Sequence, residues 1–172
     1  HSMEMDLNPV EYEQNTYEEY ILGSAEVVGL MCLKVFVYGD EAEYQKLKPY
    51  AMKLGSAFQK INFLRDYSAD YHELGRLYFP GIDPTGELSV EDKMRIENEI
   101  QQEFDEALIG IKMLPKSSRF GVYVSFKYYT KLLRKIKQKT AQQLLQERIR
   151  IPNNAKMLVF AKSIVRNQIN LL

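Results

Sequence analysis

Apolar residues recur every three or four positions along most of the chain, which is the spacing of one face of an α-helix. No convincing pair of strands and no internal repeat interrupts this pattern. We therefore predict an all-α fold, a single domain spanning residues 1–172 with about six or seven helices. The first predicted helix runs from Thr16 to about Val37 and the second from Glu41 to Leu47, and Pro49 restarts the chain into a central helix. The next helix runs from Ser89 to about Met113, and another begins at a cap at Ser117 or Ser118. A further helix ends near Glu147, and the last runs from a cap at Asn153 or Asn154 to near Leu171.

The central helix has two chemically different faces, and it ends abruptly in a Gly-Arg-Leu-Tyr-Phe-Pro string at residues 75–80. At about 100° per residue, its polar positions fall on one stripe, within roughly 40° of Asp66. The opposite face is apolar. The polar stripe consists of Gln59, Asn62, Asp66 and Asp70, and the apolar face of Leu54, Ala57, Ile61 and Leu64.

Amide and carboxylate oxygens in one stripe suit a hard cation such as Mg²⁺, which takes oxygen ligands and keeps several waters. The alternative is a solvated helix face, on which carboxylates at i and i+4 mildly repel each other. Arg65 and Arg76 add fixed positive charge suited to phosphate oxygens. Ala51 and Gly55 are small residues on the same face of the helix, one to two turns earlier. Together these residues favour a diphosphate bridged by a metal ion.

The helix from Thr16 to Val37 is apolar nearly all round after its first turns, which predicts a helix buried at the centre of the domain. Thr16 and Glu19 have the spacing of a capping box. Small residues occupy one side of this helix. They allow two interpretations, either tight packing against another helix or an apolar wall with room for a long hydrocarbon.

Charge is distributed unevenly, although the 23 basic and 23 acidic side chains cancel overall. From Lys127 onward the chain carries eleven Lys and Arg residues and a single acid, Glu147. A basic end of this kind is compatible with contact to anionic lipid or nucleic acid, or with helix faces that the acidic half balances.

Several chemistries find no support in the residues. Cys32 is the only cysteine, which excludes an internal disulfide and disfavours zinc. There is no Gly-rich phosphate loop and no Gly-x-Ser-x-Gly motif. The basic end lacks interleaved aromatic residues, so we do not expect a nucleic-acid partner.

Two strings resemble motifs of the phytoene and squalene synthase family. The first resembles the second aspartate-rich motif of that family and reads Gly55-x-x-x-Gln59-x-x-Asn62-x-x-Arg65-Asp66-x-x-x-Asp70, followed by Gly75-Arg76-x-Tyr78-x-Pro80. The second, Tyr20-x-x-x-Ser24-Ala25-x-x-Val28, resembles the preceding helix of the family, where a Tyr and small residues line the prenyl pocket. This sequence has Ser24 and Glu26 where the family often has Val and Gly.

The resemblance implies an isoprenoid synthase-type helical bundle that condenses two prenyl diphosphates head to head. The substrates implied are two geranylgeranyl diphosphates, which give phytoene through prephytoene diphosphate in carotenoid biosynthesis. Implied roles are catalysis for Asp66, Asp70 and Tyr20, binding of Mg²⁺ or alternatively Mn²⁺ for Asn62, Asp66 and Asp70, and binding of substrate for Gln59, Asn62, Arg65, Arg76, Tyr78, Ser24, Ala25, Val28, Tyr129 and Arg148.

Two alternatives share these residues. One is a squalene or dehydrosqualene synthase acting on farnesyl diphosphate, with NADPH required only in the squalene synthase case. The other is a non-catalytic family member that serves as a binding or assembly module.

The family uses two aspartate-rich motifs on facing helices, and only the second is present. Met3-x-x-Asp6-Leu7 resembles the string that precedes the Tyr20 helix in the family. We therefore expect a C-terminal part of an isoprenoid synthase domain, inactive alone, whose N-terminal helices are its missing partner. The expected location is cytoplasmic, with peripheral contact at the inner face of the membrane left open.

Overall fold

The computed structural model describes residues 2–6 and 12–168, and every regular element among them is helical. The prediction of an all-α bundle is confirmed. A π-helical turn, Leu22–Glu26, joins two of the helices into one continuous rod, so that the described residues form seven helical bodies. The helices are α1 Ser2–Met5, α2 Gln14–Ile21, α3 Val27–Phe36, α4 Glu41–Leu74, α5 Val90–Met113, α6 Lys116–Lys137, α7 Ala141–Gln146 and α8 Asn153–Gln168.

Helix α4 is the axis of the fold. Its 34 residues extend about 50 Å at 1.5 Å per residue. Asp40 caps its start by accepting a hydrogen bond from the backbone N–H of Glu43 at 3.0 Å. Ala57, Ile61 and Leu64 are fully buried on its apolar face. The π turn and helices α3, α5, α6 and α7 all pack against α4.

The predicted restart at Pro49 is wrong, because Pro49 lies inside α4. Proline cannot donate the usual hydrogen bond to the carbonyl four residues earlier, which weakens a helix. The turn before it is nevertheless anchored, since Leu47 is buried and belongs to one apolar cluster with Leu33, Val37 and Leu114. Tertiary packing therefore keeps the helix continuous.

Some predicted helix starts are confirmed and others are not. Ser89 caps α5 and accepts a hydrogen bond from the Asp92 N–H at 2.9 Å, as predicted. Helix α2 begins at Gln14, which places Thr16 inside the helix and rules out the predicted capping box. The first turn of α2 contains Tyr17, which is buried in the core, and this packing outweighs the local capping signal.

Helix α6 starts at Lys116, directly after Pro115, so neither predicted serine cap is correct. The hydroxyl of Ser117 accepts a hydrogen bond from the Tyr38 hydroxyl at 2.8 Å, and the hydroxyl of Ser118 donates back to the Pro115 carbonyl. Helix α8 begins at Asn153, directly after Pro152, so the predicted cap at Asn153 or Asn154 is wrong, and its predicted end at Leu171 lies outside the described residues.

Glycine allows α3 and the π turn to lie directly on α4. A Cβ atom on Gly55 would stand 2.8 Å from the carbonyl oxygen of Ala25, and one on Gly29 would stand 3.0 Å from that of Ala51. Both distances are too short for a larger side chain without movement of the backbone. The small residues of this region therefore serve close packing along one side of α3.

The other side of α3 is open, which contradicts the predicted burial at the domain centre. The exposed fraction is 66% for Met31 and 71% for Val35, whereas Leu33 is buried. The physical reason is that, among the described elements, α3 packs mainly against α4, so the side of α3 that faces away from α4 is left uncovered. Neither α3 nor any other helix in the described ranges is long and apolar enough to cross a membrane.

A buried ion pair links α4 to α5. The Lys60 ammonium donates to Oε1 of Glu103 at 2.8 Å and also contacts Glu99, while the Ser56 hydroxyl donates to the same Glu103 oxygen at 2.9 Å. Lys60 and Glu103 are only 4% and 5% exposed. Each charge therefore depends on the other for its solvation.

We expect Lys60→Met to reduce the free energy of unfolding by about 3 kcal/mol, because the buried Glu103 would keep only the more distant and exposed Lys53, 3.8 Å away, as its cation. The double variant Lys60→Met/Glu103→Leu should recover most of that loss. Lys46→Met, which removes an exposed pair with Glu43, should change stability by less than about 1 kcal/mol. Urea unfolding of the four proteins measures these differences, and an equal loss in the single and double variants would contradict the explanation.

Candidate functional site

An apolar pocket of about 380 Å³ lies between α3, α4, α5 and α6. Its volume falls in the range of small-molecule sites. Along α4 the lining residues run from Leu47 to Asn62, and the sequence-predicted Ser24, Ala25 and Val28 line the facing wall. Other lining residues are Gly29, Cys32, Leu33, Phe36, Tyr50, Ala51, Leu54, Gly55, Phe58, Ala107, Gly110, Ile111, Leu114, Val122 and Ser125.

The Asn62 end of the pocket carries hydrogen-bonding side chains. The Tyr129 hydroxyl donates to Oδ1 of Asn62 at 3.2 Å, and the Asn62 amide donates to Oε1 of Gln59 at 3.4 Å. The Tyr129 ring stacks on Phe58 with centroids 3.9 Å apart. Helix α6 thus fixes the three predicted residues Gln59, Asn62 and Tyr129 in one hydrogen-bonded group at this end.

Asp66 follows one helical turn beyond Asn62 and is paired with two arginines. Arg65 approaches Oδ2 of Asp66 through Nη2 at 2.5 Å, and Arg148 approaches Oδ1 through Nε at 2.5 Å. Arg148 lies two residues past the end of α7, where the Ile149 N–H donates to the Arg65 carbonyl at 3.1 Å. That backbone bond holds Arg148 beside the carboxylate, which brings together residues 82 positions apart in the chain.

Asp70 lies one further turn along the same stripe. Burial, followed by the charge of Asp66, raises its pKa from 3.8 to about 6, and the opposing effects of Arg76, Arg148 and Arg65 are smaller. The carboxyl group is therefore held in a site where its negative charge is incompletely compensated. A cation placed there would relieve both causes of the shift.

A second polar group surrounds Asp6. Its carboxylate accepts hydrogen bonds from the Tyr20 hydroxyl at 3.1 Å and from Nη1 of Arg76 at 3.2 Å. Arg76 also donates to the Asp6 carbonyl and, at 3.3 Å, to the Tyr78 hydroxyl. Three predicted residues, Tyr20, Arg76 and Tyr78, thus meet here rather than along the pocket wall.

The local sequence explains the position of Arg76. Gly75 ends α4 in the left-handed conformation with φ 65°, which glycine adopts without steric cost. The Arg76 N–H then donates back to the Asp70 carbonyl at 2.8 Å. The turn therefore folds Arg76 towards the end of α4 that carries Asp70.

Sequence reasoning did not identify Asp6 as a site residue. The only available signal was its place in the Met3-x-x-Asp6-Leu7 string, which indicated chain position and not contact with Tyr20 and Arg76. Glu26, an acid inside the string that resembles a pocket wall, is absent from the lining residues. It is half-buried, and its pKa is raised by burial and by Glu103.

The donor set fits a cation only together with a ligand. Within residues 2–6 and 12–168, no three His, Cys, Asp or Glu side chains come close enough to form a complete metal site. Mg²⁺ in phosphate-binding sites commonly uses one or two carboxylates, with waters and phosphate oxygens completing its shell. Asp66 and Asp70, on successive turns, match that partial set.

The sequence was compared with known proteins. Residues 1–155 match the family model described as squalene/phytoene synthase. A chloroplastic phytoene synthase of Daucus carota is 33% identical over 150 residues, covering 76% of this chain and 37% of that protein. Phytoene synthase 1 of Solanum lycopersicum is 33% identical over 154 residues, covering 78% and 36%. A bifunctional lycopene cyclase/phytoene synthase of Phaeosphaeria nodorum is 27% identical, covering 81% and 28%. The chain thus spans between 28% and 37% of the length of these relatives.

The raised pKa of Asp70 predicts a specific pH dependence of stability. Because the folded-state value of about 6 exceeds the ordinary 3.8, ionisation is harder in the folded protein, and stability falls as the pH rises from about 4 to about 6. Asp70→Asn should remove this loss. We expect its melting temperature to exceed that of the parent sequence by a few degrees at pH 7.5 and to match it at pH 4, as measured by circular dichroism.

Asp83→Asn is the matched control, since the Thr85 hydroxyl and N–H bind Asp83 and lower its pKa. Its replacement should not stabilise the protein at either pH. A stabilisation by Asp70→Asn that was equal at pH 4 and 7.5 would contradict the assignment to ionisation.

Proposed function

Because the chain belongs to the squalene/phytoene synthase family, we propose that it forms one wall of a prenyl diphosphate site. In this proposal the parent protein joins two prenyl diphosphates head to head, in the manner of carotenoid biosynthesis. The relatives named phytoene synthases favour geranylgeranyl diphosphate as the substrate and phytoene as the product.

One observation carries the proposal: an apolar pocket whose polar end leads to paired carboxylates and arginines. A prenyl diphosphate has the same two parts, a long hydrocarbon and a polyanionic head. The pocket would receive the hydrocarbon, while Asp66 and Asp70 on the next two turns would face the head group. Arg65 and Arg148 each have donors beyond those directed at Asp66, and these can reach phosphate oxygens.

The length of the pocket favours a C20 substrate. From Asn62 to Leu47 the lining extends about 22 Å along α4 at 1.5 Å per residue. An extended geranylgeranyl chain spans about 20 Å and a farnesyl chain about 15 Å, taking roughly 1.25 Å of length per 1.5 Å carbon–carbon bond. A farnesyl chain, the substrate of the squalene or dehydrosqualene synthase alternative, would leave the Leu47 end unfilled.

Loss of diphosphate is the chemical step for which these residues are suited. Mg²⁺, or alternatively Mn²⁺, would be held by Asp66 and Asp70 beside Asn62, and would neutralise charge that develops on the leaving diphosphate. Arg65, Arg148 and Arg76 would add fixed positive charge on the same side. The apolar wall keeps water from the allylic cation that remains, which prevents its capture as an alcohol.

The environment of Asp70 argues against the non-catalytic alternative. A carboxyl group with its pKa raised by burial and by a neighbouring carboxylate weakens the folded state near neutral pH. Such perturbed groups concentrate at sites of binding and catalysis. A module used only for assembly would gain nothing from keeping this arrangement.

We propose a cytoplasmic location for the parent, and we expect NADPH to be unnecessary for it. The chain alone should release no hydrocarbon from geranylgeranyl diphosphate and Mg²⁺, because it spans only 28–37% of the length of the relatives described above. The full-length parent should convert geranylgeranyl diphosphate faster than farnesyl diphosphate, with or without NADPH. Product analysis by chromatography measures both, and turnover by the 172-residue chain would refute the first expectation.

In the full-length parent, Asp66→Asn should lower turnover by about a hundredfold or more, since the variant loses a metal-binding carboxylate and the anchor of two arginines. Asp83→Asn, in an exposed turn, should leave turnover unchanged. Near-normal activity of the Asp66 variant would remove Asp66 from the proposed metal site.

A further inference from the structure

Asp6 joins three segments of the chain that are distant in sequence. Its carboxylate accepts a hydrogen bond from the Tyr20 hydroxyl on α2, which lies 3.1 Å from one oxygen and 3.2 Å from the other. Oδ1 also accepts from Nη1 of Arg76 at 3.2 Å, although Arg76 lies 70 positions further along the chain. Nη2 of Arg76 donates to the backbone carbonyl of Asp6. This one residue therefore links the end of α1 to α2 and to the turn that follows α4.

Packing holds the backbone of Asp6 in place. Met5, directly before it, is 8% exposed and belongs to the main apolar cluster of the core. Ser2 lies against the π turn at Gly23, where an added Cβ atom would stand 2.7 Å from the Ser2 hydroxyl oxygen. Helix α1 is thus seated on the π turn, and this contact fixes the backbone from which the Asp6 side chain extends.

Tyr20 fixes the orientation of the Asp6 carboxylate. The Tyr20 ring is 5% exposed, and its centroid lies 5.5 Å from that of Tyr12 and 5.3 Å from that of Tyr78. Burial, followed by the interactions with Tyr78 and Asp6, raises the pKa of the Tyr20 hydroxyl well above its usual range. The hydroxyl therefore stays protonated near neutral pH and donates to Asp6 from a ring that the core holds still.

Arg76 has donors beyond those directed at Asp6 and Tyr78. A guanidinium has five N–H donors, and three hydrogen bonds run from Arg76 to these two residues. The Nε–H and the second N–H of Nη2 are directed elsewhere. Since the Arg76 side chain is 23% exposed, a ligand can reach it. The Arg76 backbone N–H donates to the Asp70 carbonyl, so this guanidinium belongs to the polar end of α4.

The ion pair of Asp6 and Arg76 adds little to the stability of the fold. Its two side chains are 36% and 23% exposed, and partly exposed pairs of this kind contribute little to the free energy of unfolding. Two side-chain bonds and one backbone bond nevertheless converge on Asp6. The orientation that they impose on Arg76 is therefore their main effect.

We propose that Asp6 is a positioning residue for Arg76 and holds its guanidinium in the orientation that binds the diphosphate of the substrate. This inference rests on the function proposed above. Arg65 and Arg148 are held by Asp66, which in that proposal also binds the metal ion. Asp6 lies outside the polar stripe of α4 and acts only through Arg76. A guanidinium that is already fixed loses less conformational entropy when it binds phosphate than a freely rotating one.

Isotope-edited NMR of arginine side chains measures the position of Arg76 in the 172-residue chain. Hydrogen bonds that hold a guanidinium slow its internal rotation, so we expect separate Nη1 and Nη2 signals for Arg76, which comparison with Arg76→Lys identifies. In Asp6→Ala these signals should merge at a lower temperature. The control is Asp92→Asn on α5, which removes a carboxylate paired with Arg95 at 3.0 Å and should leave the Arg76 signals unchanged.

In the full-length parent, Asp6→Ala should lower kcat/KM for geranylgeranyl diphosphate by about tenfold, because it removes the charge-assisted bond that orients Arg76. Arg76→Ala should lower it further. The double variant should be no worse than Arg76→Ala alone, since Asp6 then has nothing to position. Asp6→Asn keeps an acceptor for the Tyr20 hydroxyl without the charge, so its kcat/KM should fall between those of the parent and Asp6→Ala. Asp92→Asn should leave kcat/KM unchanged.

Failure of this inference differs from failure of the proposed function. Normal kcat/KM in Asp6→Ala, a double variant whose loss is the product of the single losses, or Arg76 signals that ignore Asp6→Ala would each overturn the positioning role. An inactive parent, or normal turnover by Asp66→Asn, would instead refute the proposed function, and the NMR comparison would still decide whether Asp6 holds Arg76. Circular dichroism should give every variant the same helix content, and Asp6→Asn replaces Asp6→Ala in both measurements if the alanine variant unfolds.

Discussion

The close contact between α4 and the rod formed by α2, the π turn and α3 is the constraint on which the candidate site depends. At Gly55 and Gly29 the two backbones approach so closely that an added Cβ atom would stand 2.8 Å and 3.0 Å, respectively, from a carbonyl oxygen of the facing segment. The two helices then share one apolar seam that opens into the pocket. A larger residue at either position would push α3 away from α4 and displace Ala25 and Val28 from the wall of the pocket.

One carboxyl group of the candidate site, Asp70, lowers the stability of the fold near neutral pH. Asp66 is neutralised by Arg65 and Arg148, whereas Asp70 is left with a raised pKa. On the other side of α4, Lys60 pairs with Oε1 of the buried Glu103 on α5. Helix α4 therefore carries paired charges at Lys60 and Asp66 and an incompletely compensated carboxyl group at Asp70.

Two of the exposed apolar surfaces among the described residues, on α3 and α8, have different surroundings. The α3 face is continuous with the pocket, because Val28 is both 52% exposed and a lining residue. The exposed residues Met157, Leu158 and Val165 of α8 lie on a helix that packs on α6. The first exposure adjoins the pocket that is proposed to receive substrate.

The sequence by itself determined the helical class, the cap at Ser89 and the stripe of Gln59, Asn62, Asp66 and Asp70, because helical periodicity and capping act over a few neighbouring residues. Only the tertiary structure decided that α4 continues through Pro49, that Arg148 reaches Asp66 and that Asp6 joins Tyr20 and Arg76. It also decided that one face of α3 stays exposed. These outcomes depend on contacts between residues far apart in the chain, whose free energies outweigh local preference and leave no periodic signal in the sequence.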